Sequence, residues 1–256
     1  MTTSTGCASR CAYCAIWMAK GRLVSRPLED VLADVTTGLD RGFTWVSLIA
    51  DDNGAYGKDI GRNFGELVDG LTALQRPFGL MIEGIKPDDF NDHFETLLRF
   101  GRAGNPLGMV LTVQHAHPRL LQAMGRPFDL ERFKRNLARL DREITGLVPS
   151  FHLIGGFPGE GREELAALED FARWVKALDP RNGYAWVTFV FSAHPGTRAF
   201  SMPDQIPLET RIARCAAITA VHEDVTEDAT EEATQDPAQD RAAPDHADHG
   251  VPDDHA

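Results

Sequence analysis

Five stretches of continuous rather than alternating apolar residues constrain this chain most: residues 43–50, 78–83, 107–114, 150–155 and 184–191. A strand buried on both faces has this pattern, whereas a strand with one wet face alternates. Helical spacing fills the intervals. Leu28, Val31, Leu32, Val35 and Leu39 recur along one helix face, and Leu165, Leu168, Phe171, Val175 and Leu178 along another. Strand alternating with helix predicts right-handed crossovers and a parallel sheet, curved into a full or partial barrel or left open. Ligands of such sheets sit at the carboxyl ends of the strands. A sixth strand, first in order, falls at residues 2–5, where only a stub is present.

With 256 residues and 43% hydrophobic content, the chain can bury one α/β domain of barrel size. Apolar runs stay well short of the roughly 20 residues that cross a bilayer. Residues 1–20 also lack the basic-then-apolar order of a secretory signal, so a cytoplasmic protein with no membrane association is expected. The formal charge of −12 is unevenly spread. Residues 222–256 hold twelve of the 38 acidic side chains and one of the 26 basic ones, Arg241, which leaves 26 acidic against 25 basic residues in 1–221. The expected folded domain, 1–221, is thus nearly neutral and carries no electrostatic footprint for nucleic acid. Residues 222–256, almost devoid of large apolar side chains, are expected to form a disordered, solvated acidic tail.

Three of the four cysteines lie in the first fourteen residues, as Cys7-Ala-Ser-Arg-Cys11-Ala-Tyr-Cys14. In a reducing compartment this density reads as metal or redox chemistry before structural disulfides. Three soft thiolates on one short loop can turn toward one cubane cluster, leaving one of four irons without protein sulfur. An open coordination position marks a catalytic rather than a structural centre. A zinc site lacking its fourth ligand and a Cys11–Cys14 redox pair are the alternatives, and neither accounts for Cys7 together with the downstream motifs.

The spacing, with Tyr13 before the last cysteine, resembles the signature of the radical S-adenosylmethionine (SAM) superfamily. That resemblance implies a partial (βα)6 TIM-like barrel. It also implies a [4Fe–4S] cluster ligated by Cys7, Cys11 and Cys14, SAM as cosubstrate, and an electron donor such as flavodoxin or ferredoxin. Reductive cleavage of SAM in that superfamily gives a 5′-deoxyadenosyl radical, which abstracts hydrogen from an unreactive carbon. Across residues 6–218 the sequence is similar, more narrowly, to methylthiotransferases of the MiaB and RimO type. Gly21 with Ser25-Arg26-Pro27, the segment Asp51-Asp52-Asn53-Gly54-Ala55-Tyr56-Gly57-Lys58-Asp59, and Val113-Gln114 with Met124 and Arg126 carry this likeness. So do Gly155-Gly156-Phe157-Pro158-Gly159-Glu160 and Pro195-Gly196-Thr197-Arg198-Ala199. By resemblance Asp51 takes the place of an acidic residue that holds the amino group of SAM. Gln114 and Arg126 offer a hydrogen bond and a carboxylate partner, Tyr13 stands beside the cluster, and Gly155 and Gly156 form a wall against which SAM lies.

The likeness covers only the central part of such enzymes. Their N-terminal domain with three further cysteines and their C-terminal β-domain have no match in these residues. A fragment or split gene product, a single-cluster relative, and a partner that supplies the missing part are the resulting expectations, and a non-catalytic cluster-binding remnant is the rival. The substrate is left open among a nucleoside, a peptide and a small molecule, with nucleic acid undecided. Cys215 falls in an apolar helical pattern and is expected to be a core thiol. Arg132, Arg135, Arg139 and Arg142, interspersed with Glu131, Asp141 and Glu143, read as a solvated helix face.

Overall fold

The computed structural model of the chain describes residues 1–178 and 183–233, with side chains to residue 221. It begins with a short antiparallel pair, β1 (Ser4–Thr5) and β2 (Val24–Ser25), that brackets the cysteines and a short helix α1 (Ile16–Lys20). After α2 (Leu28–Asp40) come β3 (Trp45–Ile49), α3 (Phe64–Ala73), β4 (Gly79–Ile85), α4 (Pro87–Asp92), α5 (Phe94–Arg102) and β5 (Leu107–Gln114). Then follow α6 (Pro118–Met124), α7 (Leu130–Glu143), β6 (Leu147–Gly155), α8 (Arg162–Lys176), β7 (Ala185–Val190) and α9 (Leu208–Ala233). The last five strands form one parallel sheet in the order β3-β4-β5-β6-β7. All five apolar runs therefore became strands.

Register shows burial on one face, where the continuous runs predict burial on both. Leu48, Leu80, Ile82, Met109, Leu111, Phe151 and Leu153 point to one face and are fully buried under the helices. The opposite face carries Trp45, Ile49, Val148, Val187 and Phe189, all more than a third exposed. One side of the sheet is thus a sealed core, and the other is open and mixed, with Ser47, Glu83, Ser150 and His152 among those apolar side chains. Phe133 anchors the sealed side through ring contacts with Phe90 at 5.3 Å and Phe128 at 5.8 Å.

The expected sixth unit is present only as its stub. Thr2 bridges Ile49 in the parallel sense, and the Thr3 N–H donates to the Ile49 carbonyl at 3.0 Å, so residues 1–3 run beside β3. The strand ends because the chain must turn at Gly6, whose φ is +73° and whose Cβ, if present, would stand 2.1 Å from the Arg22 carbonyl oxygen. Only glycine satisfies both conditions. β6 starts three residues before the expected 150, running through Pro149. The sheet tolerates a missing N–H there because β7 pairs only from Ser150 onward.

Met1–His222 forms one compact unit. Helical backbone nonetheless continues to Ala233, past the expected boundary at Val221, since extending an existing helix avoids the cost of nucleating one. Residues 234–256 of the expected tail lie outside the described residues. No described helix is long and apolar enough to cross a membrane.

Replacing Phe133 by Ala should cost about 3–5 kcal/mol of stability. Urea denaturation followed by circular dichroism checks this, and an unchanged midpoint would show that Phe133 does not anchor the sealed side of the sheet.

Candidate active site

A cleft of about 630 Å³, open to solvent, lies where β3, β4 and β5 end. Cys7, Cys11 and Cys14 line it together with Tyr13, Asp51, Gln114 and Arg126, seven of the nine residues expected there. Backbone hydrogen bonds hold the cysteine loop in place. The Ala12 N–H donates to the Met124 carbonyl at 2.8 Å, and the Ala199 N–H donates to the Ala12 carbonyl at 2.8 Å. Beneath it, Ala12, Met124, Ile154, Phe157, Phe191 and Ala199 make a second apolar cluster. The Ser9 N–H points at Cys7 Sγ at 3.3 Å and the Ile16 N–H at Cys14 Sγ at 3.5 Å, contacts that favour thiolate. Without a metal bound, burial pushes the Cys7 and Cys14 thiols up.

Arg126 ties the loop to the sheet. Its Nη2 donates to the Thr112 carbonyl at 2.7 Å and to Thr112 Oγ1 at 3.0 Å, while Nη1 reaches the Tyr13 hydroxyl at 3.3 Å and Cys11 Sγ at 3.7 Å. Burial opposes its charge, but the Tyr13 and Cys11 groups beside it outweigh that and raise its pKa. Tyr13 is pushed up by burial, which exceeds the opposing influence of Arg126. A fixed cation therefore faces the cleft.

Asp51 is held at the rim, accepting from Lys20 Nζ at 2.7 Å and from the Gly6 N–H at 3.0 Å. Its neighbour Asp52 lies deeper, 3.4 Å from Lys86 Nζ, with Oδ1 buried and unpartnered. Burial raises the Asp52 carboxyl above its usual range, against the pull of Lys86. Burial also works against the Lys86 ammonium, but Asp52, Asp89 and Asp88 more than compensate and its pKa rises. Gln114 has φ +69°, a left-handed conformation that non-glycine residues seldom adopt, and its Oε1 is likewise buried without a partner. The unpartnered oxygens of Asp52 and Gln114, three thiols and a guanidinium make a wall with spare hydrogen-bonding capacity. That wall suits a polar cosubstrate, and the three sulfurs suit a cluster. The residues present fit both groups.

Gly155 and Gly156 do not line the cleft. A Cβ at Gly155 would stand 2.7 Å from Cys215 Sγ, and one at Gly156, where φ is +82°, would stand 2.4 Å from Arg211 Cγ. The space a side chain would need at either glycine is taken by α9. Cys215 is a buried core thiol whose Sγ lies 3.5 Å from the Phe189 carbonyl. Much of the 51–59 motif is structural too. The Tyr56 hydroxyl donates to the Arg26 carbonyl at 2.9 Å, the Gly57 N–H to Ser25 Oγ at 2.9 Å, and Asp59 accepts from the Ser25 N–H at 2.8 Å. These bonds fasten the loop to β2. Sequence reasoning missed Ser9, Ile16, Asp52, Gly84, Lys86 and Thr112 as lining residues. Asp52 stood inside the quoted motif, and Lys86 lies three residues past the apolar run at 78–83, which was the available signal. On α7, Arg132 and Arg139 pair with Asp92 and Glu95, as a solvated face should.

A family model described as the Radical SAM superfamily matches residues 1–172. The ribosomal protein uS12 methylthiotransferase RimO of a Polaromonas species is 33% identical over 237 residues, covering 87% of this chain and 49% of that protein. A tRNA-2-methylthio-N(6)-dimethylallyladenosine synthase of Halalkalibacterium halodurans is 28% identical, covering 86% of this chain and 40% of that one. The chain thus spans about half the length of the curated relatives it matches. Among solved structures, the radical SAM methyltransferase TsrM of Kitasatospora setae, with cobalamin and a [4Fe-4S] cluster bound, superposes with a TM-score of 0.60 at 20% identity, over 78% of this chain and 38% of that one. Methylornithine synthase superposes at 0.51 with 18% identity, over 86% of this chain and 61% of its own. These two share the fold.

Gly155→Val should lower stability by about 1–3 kcal/mol through overpacking against α9, with SAM affinity unchanged. Thermal unfolding and equilibrium dialysis check it. Lost SAM affinity at unchanged stability would return Gly155 to the cosubstrate wall.

Proposed function

This chain belongs to the radical SAM superfamily, and from that premise we propose that it cleaves SAM reductively in a methylthiotransferase-like reaction on a nucleoside or peptide. It is an enzyme of the radical SAM type whose cofactors are a [4Fe–4S] cluster and SAM. The observation that carries the reading is that three cysteines, a buried arginine and two residues with unpartnered buried oxygens line one cleft at the strand ends.

Cluster and cosubstrate together supply, once reduced, a 5′-deoxyadenosyl radical able to take hydrogen from carbon. Each residue of the chain has a definable part. Cys7, Cys11 and Cys14 would hold the cluster as thiolates, with Cys7 and Cys14 giving up protons that burial favours retaining. Asp51 presents a carboxylate to the amino group of SAM from a rim position fixed by Gly6 and Lys20. Arg126 answers the cosubstrate's carboxylate with a guanidinium already anchored on Thr112. Gln114 and Tyr13 offer further hydrogen bonds from the wall and the loop. Two relatives are named for action on a ribosomal protein and on a tRNA nucleoside, which motivates these substrate classes.

A second reading, a single-cluster enzyme with another peptide or small-molecule substrate, is favoured by Cys215. It is packed between Gly155 and Phe189 instead of facing the cleft, so the described cysteines serve one cluster. Product analysis separates the two.

Anaerobic reconstitution with iron, sulfide, dithionite and SAM should yield 5′-deoxyadenosine. A chain holding about four irons that forms none would refute the catalytic reading. Cys11→Ala should lose the cluster, because two thiolates rarely retain a cubane, and full iron content with undiminished absorbance in that variant would contradict the ligand assignment.

A further inference from the structure

The cysteine loop has two sides. Its inner side faces the cleft described above, and its outer side opens on a second cavity, with Cys7 common to both. Arg10, Trp17, Arg22, Lys58 and Asp59 wall the outer cavity. The Arg10 guanidinium lies 4.6 Å above the Trp17 ring, and this cation–π contact fixes a long, exposed side chain in place. Neither Arg10 nor Arg22 has a carboxylate partner among the described residues. Arg62, Arg99, Arg102 and Arg132 each do, whereas Arg135 and Arg142 on α7 are exposed and equally unpaired, so what sets Arg10 and Arg22 apart is their place against the cysteine loop in one cavity with Cys7. Lys58 is committed to Asp89 and Lys20 to Asp51. Because residues 1–221 are close to neutral, two unpaired guanidiniums beside a cluster ligand make a local positive field and not a share of a generally basic surface.

Resting on the reading above, we propose that the surface formed by Arg10, Trp17 and Arg22 receives an acidic one-electron carrier protein. Reductive cleavage needs an electron from outside, and the inner side of the loop belongs to SAM and substrate. The donor therefore approaches from the outer side, where Cys7 separates the cluster from the surface. Redox encounters use small, polar interfaces in which charge steers docking, and a cationic patch centred on a rigid indole fits a carboxylate-rich partner. The balance is simple. One electron leaves the carrier and ends on the sulfonium of SAM, whose C5′–S bond breaks. Methionine departs with the sulfur lone pair, the 5′ carbon keeps the odd electron, and the carrier is left oxidised by one electron.

The test compares two reductants on the reconstituted full chain: dithionite, and reduced flavodoxin regenerated by its reductase and NADPH. Flavodoxin binding is measured in parallel by calorimetry. The double variant Arg10→Glu with Arg22→Glu should weaken flavodoxin binding and flavodoxin-driven 5′-deoxyadenosine formation by about tenfold or more. Its dithionite-driven rate should stay within about twofold. The control pair Arg135→Glu with Arg142→Glu, exposed on α7, should change neither. Raising salt should suppress flavodoxin binding to the unaltered chain much more than to the variant. Flavodoxin binding that survives the charge reversal, or that falls equally in the control, overturns the proposal. Failure of the catalytic reading is separate: the unaltered chain would then make no 5′-deoxyadenosine with dithionite either, while the binding comparison still decides the docking surface.

Discussion

Both backbone groups of Ala12 are spoken for, its N–H by Met124 after β5 and its carbonyl by Ala199 after β7, each at 2.8 Å. That clamp lies between Cys11 and Cys14, so it fixes the positions of two sulfurs relative to two separate strand ends. The Ala12 side chain is buried in the small apolar cluster with Met124, Phe157 and Phe191. A loop of eight residues rich in small side chains has little structure of its own to set ligand geometry. Here the geometry is borrowed from the sheet, through two backbone bonds and the Arg126 bridge between Thr112 and the loop.

The sheet can lend rigidity because its two faces are used differently. The face under the helices is close-packed with large side chains such as Phe90, Phe133, Phe151 and Phe171, and this fixes the strand ends. The other face keeps Trp45, Ile49, Val187 and Phe189 exposed beneath the cleft. Charge follows the same division. Asp52, Lys86 and Asp89 form a buried ionic group at the ends of β3 and β4, while most surface arginines are paired with neighbouring carboxylates. Buried charges at strand ends are costly unless satisfied, and the unpartnered Oδ1 of Asp52 lies on a residue that lines the cleft.

The strands could be read from the chain because a strand buried between helices and sheet neighbours must be apolar at nearly every position, as Leu107–Gln114 is. The cysteines could be read because ligand chemistry dictates residue type and spacing together. Gly155 and Gly156 show the limit of that logic. A glycine reports only that something comes close, and here the close neighbours are Cys215 and Arg211 of α9, more than fifty positions along the chain. The shortness of the first strand was visible, but its cause, the turn at Gly6 against Arg22, is a contact between segments that no local pattern encodes. Lys86 and Asp52 were missed for a related reason. Each lies two or three residues past an apolar run, and only the folded sheet shows that two such ends meet.

The account stands on three protein sulfurs leaving one iron free for the amino and carboxylate groups of SAM. Electron paramagnetic resonance of the anaerobically reduced, cluster-loaded chain, recorded with and without SAM, tests this directly. The account predicts that SAM changes the g-values of the reduced cluster, because a nitrogen and an oxygen join the fourth iron. A spectrum that SAM leaves unaltered, at saturating cosubstrate and full iron content, would contradict it.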